Sequence, residues 1–107
     1  MIWVDNMAAF LAAWQKSEAC GWASQPGSEL FYLPGPSPTL TLRILPGSLR
    51  DTLLRQVLTW RFQHPDRYDG CYISMDADGA LSVMLQPSPE DDPHDAINTL
   101  YSLVDLN

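Results

Sequence analysis

A chain of 107 residues is one domain, long enough to bury roughly two-thirds of the surface its unfolded form exposes. A hydrophobic fraction of 46% with four tryptophans excludes a disordered chain. Six basic residues against thirteen acidic ones leave a net charge of −7, which repels phosphate backbones and anionic membranes, so neither is expected as a partner.

The N-terminal MIWVDNM has no basic segment, and Asp5-Asn6 interrupts its apolar run, so no signal peptide is expected. No window approaches the roughly eighteen apolar residues of a membrane span. Cys20 and Cys71 allow one bridge at most and match no zinc or redox spacing, which suits small buried hydrophobes in a reducing cytosol. A soluble cytoplasmic protein is the expectation.

In chain order, residues 3–19 are predicted to form a helix. Trp3, Met7, Phe10, Leu11 and Trp14 recur at helical spacing, and Gly21 stands where a C-terminal cap belongs. So much aromatic bulk on an alanine-rich helix serves either core packing or a patch that accepts a partner's apolar side chains. Residues 29–33 and 39–45 then read as two strands, the second alternating with Leu40, Leu42 and Ile44 on one face. The prolines at 34, 36 and 38 stiffen the loop between them into a hairpin.

Residues 48–63 are predicted to form the central helix, with Ser48 and Asp51 as a capping pair and Pro65 as its stop. At about 100° per residue, Leu49, Trp60, Leu53 and Val57 share one arc of roughly 80°. Leu54, Leu58 and Phe62 share a second arc of about that width, with Arg50 and Arg61 between the two. A helix covering one side of a small domain needs one apolar stripe, and this one has two. Either its own chain buries both, or the second stripe meets a second subunit; in so short a chain the second is favoured.

Residues 71–75 and 80–86 form another predicted hairpin, turning at Asp76-Ala77-Asp78-Gly79 with Gly79 in the left-handed position. The last helix opens near Asp92, with Pro93 in its first turn, acids at its positive end, and Ala96, Ile97, Leu100, Leu103 and Val104 as its apolar stripe. The order α-β-β-α-β-β-α predicts a single α+β domain over residues 1–107, a sandwich of an antiparallel sheet packed against helices.

No constellation demands catalysis. Asp76-x-Asp78-Gly79 lacks the third acid and terminal glutamate of a calcium loop and sits between strands. His64 and His94 stand alone beside prolines, with no nucleophile motif, and the six glycines are scattered at turns. The expectation is no enzyme, no cofactor and no metal site. Rival classes remain: an acidic immunity-type module that neutralises a partner protein, and a small enzyme using His64 or His94.

The run Leu53-Leu54-Arg55-Gln56-Val57-Leu58, then Cys71-Tyr72-Ile73-Ser74-Met75-Asp76, then Gly79-Ala80-Leu81-Ser82-Val83-Met84-Leu85, with the order of elements, resembles the class I chaperones of bacterial type III secretion. Within that family LLRQVLTW is most similar to the small subunit of the heterodimeric chaperone serving the injectisome's gatekeeper protein. The resemblance implies a homo- or heterodimer joined through the second helix and an adjoining strand, with Leu54, Leu58 and Phe62 as contacts and Arg61 at their rim. It also implies that a secreted effector or gatekeeper protein's N-terminal segment is held extended. Trp3, Met7, Phe10, Trp14, Leu30, Tyr32, Leu40, Leu42 and Ile44 are then client contacts or core, and pattern alone does not divide them.

Overall fold

The computed structural model describes residues 1–47, 50–68, 70–88 and 90–103. Ser48 of the predicted cap, Leu49 and Val104 lie outside the described residues, and of Asp51 and Leu53 only the helical backbone is described. The chain runs β1 (Ile2–Val4), α1 (Met7–Gln15), β2 (Cys20–Gln25), β3 (Ser28–Leu33) and β4 (Thr39–Ile44). It continues through α2 (Arg50–Gln63), α3 (Pro65–Tyr68), β5 (Cys71–Met75), β6 (Leu81–Leu85) and α4 (Pro93–Leu103). The six strands form one sheet in the order β1-β2-β3-β4-β6-β5, antiparallel except where β1 joins β2. The class is α+β, as expected, and the seven predicted elements occur in the predicted order with β1, β2 and α3 added.

The additions have local causes. Ile2, Trp3 and Val4 are β-branched or aromatic and pair in parallel with Cys20, Gly21 and Trp22 instead of opening the helix. Helix α1 begins later, at a cap: Asn6 is extended and its Oδ1 accepts the Ala9 N–H at 2.8 Å. It also ends earlier, because Ser17 takes the left-handed conformation (φ 55°) that Gly21 was expected to supply. The Ser17 N–H donates to the Trp14 carbonyl and the Glu18 N–H to that of Ala13, each at 2.9 Å, closing the helix in a Schellman arrangement. Gly21 instead lies inside β2. The β2–β3 hairpin turns through Pro26 and Gly27 (φ 82°).

The helices lie on one face of the sheet. Leu30, Tyr32, Leu40, Leu42, Ile44, Leu81 and Val83 point toward them and are buried, as register dictates, since Leu30 faces Leu42 and Leu42 faces Val83. Phe10 and Ala13 of α1, Val57 of α2 and Ile97, Leu100 and Leu103 of α4 close that core. Tyr68 of α3 is buried, and its hydroxyl lies 3.0 Å from the Ser102 Oγ, tying the one-turn α3 to α4. Among the described residues, no helix is long and apolar enough to cross a membrane.

Leu42, fully buried between Leu30 and Val83, is the centre of this layer. Leu42→Ala is expected to lower unfolding free energy by about 2–5 kcal/mol, through lost burial and the cavity left behind. Denaturant titration of the two proteins measures the difference.

Candidate functional site

Helix α2 turns only part of its apolar surface inward. Val57 is fully buried and Leu54 is half-buried against the core, whereas Leu58 is 52% exposed and Phe62 87%. From Leu54 to Phe62 the second stripe therefore climbs out of the domain. Trp60, placed with Val57 on the helical wheel, sits at the surface with its ring stacked on His64 at 4.8 Å, and His64 stands edge-on to Tyr68. Position along the wheel decides this: the inward direction falls between Val57 and Leu54, so residues flanking that line on either side emerge.

Beside the emerging stripe the sheet ends at β5. The Asp76 N–H donates to the Ala80 carbonyl at 3.0 Å, which makes 76 and 80 a hydrogen-bonded pair of the hairpin. By antiparallel alternation Cys71, Ile73 and Met75 then turn their N–H and C=O groups to the open edge. Arg61 answers one of them, its Nε donating to the Cys71 carbonyl at 3.0 Å. Leu58 and Arg61 from α2, with Tyr72 and Ile73 from β5, line a cleft of about 330 Å³. Tyr72 is 58% exposed there, and Met75, farther along β5, is exposed as well; the sequence reading assigned neither. The alternation of Tyr72 with Cys71 and Ile73 was visible in the sequence, but the strand's place at the edge was not.

The sheet face away from the helices carries a second apolar feature. Trp3, Gly21, Phe31, Thr41, Met84 and Tyr72 stand side by side in one register row across all six strands. The Trp3 and Phe31 rings meet edge to face at 5.6 Å and close over Gly21, where an added Cβ would lie 3.0 Å from Phe31 and 3.2 Å from Trp3. A side chain at 21 would push the two rings apart. Trp3, 57% exposed, begins the row, and Tyr72 ends it at the α2–β5 cleft.

The nine residues proposed as client contact or core separate clearly in position. Phe10, Leu30, Tyr32, Leu40, Leu42 and Ile44 are buried within the single chain. Met7 and Trp14 are half-buried, with Trp14 stacked on Tyr32 at 4.6 Å, and Trp3 is exposed on β1. Trp14 and Tyr32 also line a cleft of about 410 Å³ with Pro38, Pro87, Asp91 and Pro93.

The polar groups singled out in the sequence have structural surroundings of their own. Asp76 organises its hairpin: its Oδ1 accepts the Asp78 and Ala80 N–H groups at 3.0 Å, and its Oδ2 accepts from Arg43 Nε at 3.2 Å. Arg43 also pairs with Glu29, its cross-strand neighbour, at 3.1 Å. Gly79 takes φ 85° in this turn. Cys20 and Cys71 are free, buried thiols whose pKa values are raised by burial. His64 and His94 are exposed. Among the described residues, no group of three or more His, Cys, Asp or Glu could hold a metal ion.

The model of one protein family, described as HrpV-like, matches residues 2–107, nearly the whole chain. The chain belongs to the HrpV-like family. That family is associated with type III secretion, the system toward which the resemblance in the second helix and second hairpin pointed. No curated protein and no solved structure matches this HrpV-like chain.

The Asp76 carboxyl is held below the usual carboxylate range, first by the Ala80 N–H and then by Arg43 and the Asp78 N–H. A depressed folded-state pKa stabilises the protein above the unfolded value of about 3.9 and ceases to do so as pH falls through the folded value. Asp76→Asn is therefore expected to be less stable than wild type at pH 7, with the gap narrowing below about pH 4. Denaturation midpoints across that range measure it.

Proposed function

We propose that this HrpV-like protein is a non-enzymatic type III secretion chaperone that pairs with a second chaperone subunit along α2 and β5. It holds the N-terminal segment of a secreted effector or gatekeeper protein in extended form, in the cytoplasm, until secretion. One observation carries this proposal: Leu58, Phe62 and Tyr72 are exposed beside an open strand edge although the chain's own core is already closed. Apolar side chains gathered at a free edge suit the addition of another polypeptide, by side-chain burial and by main-chain pairing. The resemblance to class I chaperones supports the same two elements as the subunit contact, and the family's association with type III secretion supports the setting. No step of such a mechanism needs a catalytic group.

For the client, the six buried candidates act as core, and contact falls to the exposed Trp3 and to Phe31 beside it. Met7 and Trp14 are half-buried at α1 and contribute at its margin. An extended segment laid across the open face would cover the row from Trp3 to Met84.

Burying Phe62 at a subunit contact contributes roughly 1.5–3 kcal/mol, so Phe62→Ser is expected to weaken subunit association by about 10- to 150-fold with the fold intact. Solution mass and circular dichroism of the two proteins test this. A wild-type chain that stays monomeric and captures no partner from its native cytoplasm would overturn the proposal. Trp3→Ala is expected to leave association unchanged and to weaken capture of the co-purifying secreted protein, as a pull-down quantified by mass spectrometry would measure.

A further inference from the structure

We infer that the α2–β5 cleft is built for an acidic, apolar strand of a different polypeptide and not for a second copy of this chain. The inference rests on the proposal that this surface joins subunits, and it names the chemistry of the occupant.

Charge is distributed unevenly. Helix α2 carries three of the six basic residues, Arg50, Arg55 and Arg61, against the single acid Asp51. That leaves an excess of two positive charges on α2, while the rest of the chain carries an excess of nine negative ones. Arg55, Leu58 and Phe62 follow one another at i, i+3 and i+7, so a cation and two exposed apolar side chains share one face. Arg61 lines the cleft itself, and its Nε is bonded to a neutral carbonyl. The ion pairs among the described residues all belong to Arg43.

A two-fold dimer sets one patch against an identical patch. Here that brings arginines toward arginines, in a particle whose two halves each carry −7. The acids just beyond the C-terminal end of β5 in a second copy would be Asp76 and Asp78, and both already face Arg43, at 3.2 and 4.0 Å. A foreign strand with carboxylates between apolar residues meets no such conflict. Its main chain can pair with the outward groups of Ile73 and Met75, its apolar side chains cover Leu58, Phe62 and Tyr72, and its carboxylates reach Arg55 and Arg61. Exposed ion pairs add little affinity, so the apolar contacts hold the strand and the arginines select which strand is held.

The test uses the full chain and two fluorescent nine-residue peptides. One alternates glutamate with valine and leucine; the other has lysine in place of glutamate. The net charge of −7 taken alone favours the lysine peptide, so the expected result is the reverse. Polarisation at low salt should show the glutamate peptide bound at least tenfold more tightly. Arg55→Glu, a change at an exposed position, should remove that preference, and Phe62→Ser should weaken binding of the glutamate peptide. Equal binding, or a preference for lysine, would overturn the inference. A homodimer that Phe62→Ser dissociates and the glutamate peptide does not would also overturn it, while leaving the surface as a subunit contact. If Phe62→Ser changed neither self-association, peptide binding nor partner capture, the subunit proposal itself would fail.

Discussion

The lodging of α2 against the end of the sheet is the contact on which the rest of this structure depends. Val57 fixes the helix to the core, and the Arg61–Cys71 hydrogen bond fixes it to the outer side of β5. With one line of the helix anchored inward, its rotation is set, and Leu58 and Phe62 have to emerge. The same placement brings the helix beside a strand whose outward N–H and C=O groups have no neighbouring strand among the described residues. Hiding the apolar stripe would take about a quarter turn of α2 and would expose Val57 instead. The cleft thus follows from how the core is closed.

Much of the fold was legible in the sequence because its elements have strong local periods. The alternation of Leu40, Leu42 and Ile44 gives β4, the span 71–75 matches β5 at both ends, and Pro93 opens α4. Where local signals competed, the reading slipped. Trp3 fits a helical stripe with Met7 and Phe10, yet it lies next to Ile2 and Val4, and tertiary pairing with β2 decided for a strand. Ser17 took a backbone conformation that glycine adopts far more readily, so the end of α1 had no glycine to mark it. Pro26-Gly27 is a hairpin-type turn, but β2 before it has no clean apolar alternation to mark it as a strand.

The candidate site was legible only in part, for a different reason. A buried strand residue and a client-binding strand residue produce the same alternation, so Leu40, Leu42 and Ile44 could not be assigned from pattern; burial assigns them. The row from Trp3 to Tyr72 depends on five successive registers, and the cleft depends on β5 being last in the sheet. Neither register nor strand order is a local property. The double stripe of α2 could be read because it lies within one helix, where side-chain direction follows from spacing alone.

Exposed apolar surface at a sheet edge invites association without selectivity, and this chain restrains it in specific ways. Only three residues form β1, so the opposite edge of the sheet is short. At β5, Arg61 occupies the Cys71 carbonyl and sets a cation at the mouth of the cleft. The surplus of carboxylates elsewhere makes copies of the chain repel one another at long range, while the positive character of α2 works only near the cleft. For the proposed pairing, repulsion between like molecules and attraction confined to one helix would together be a means of choosing partners, and an uncharged surface with the same apolar area would lack it. Under the proposed pairing, affinity and selectivity would reside on adjacent side chains of a single helix: Leu58 and Phe62 would supply the first, and Arg55 and Arg61 the second.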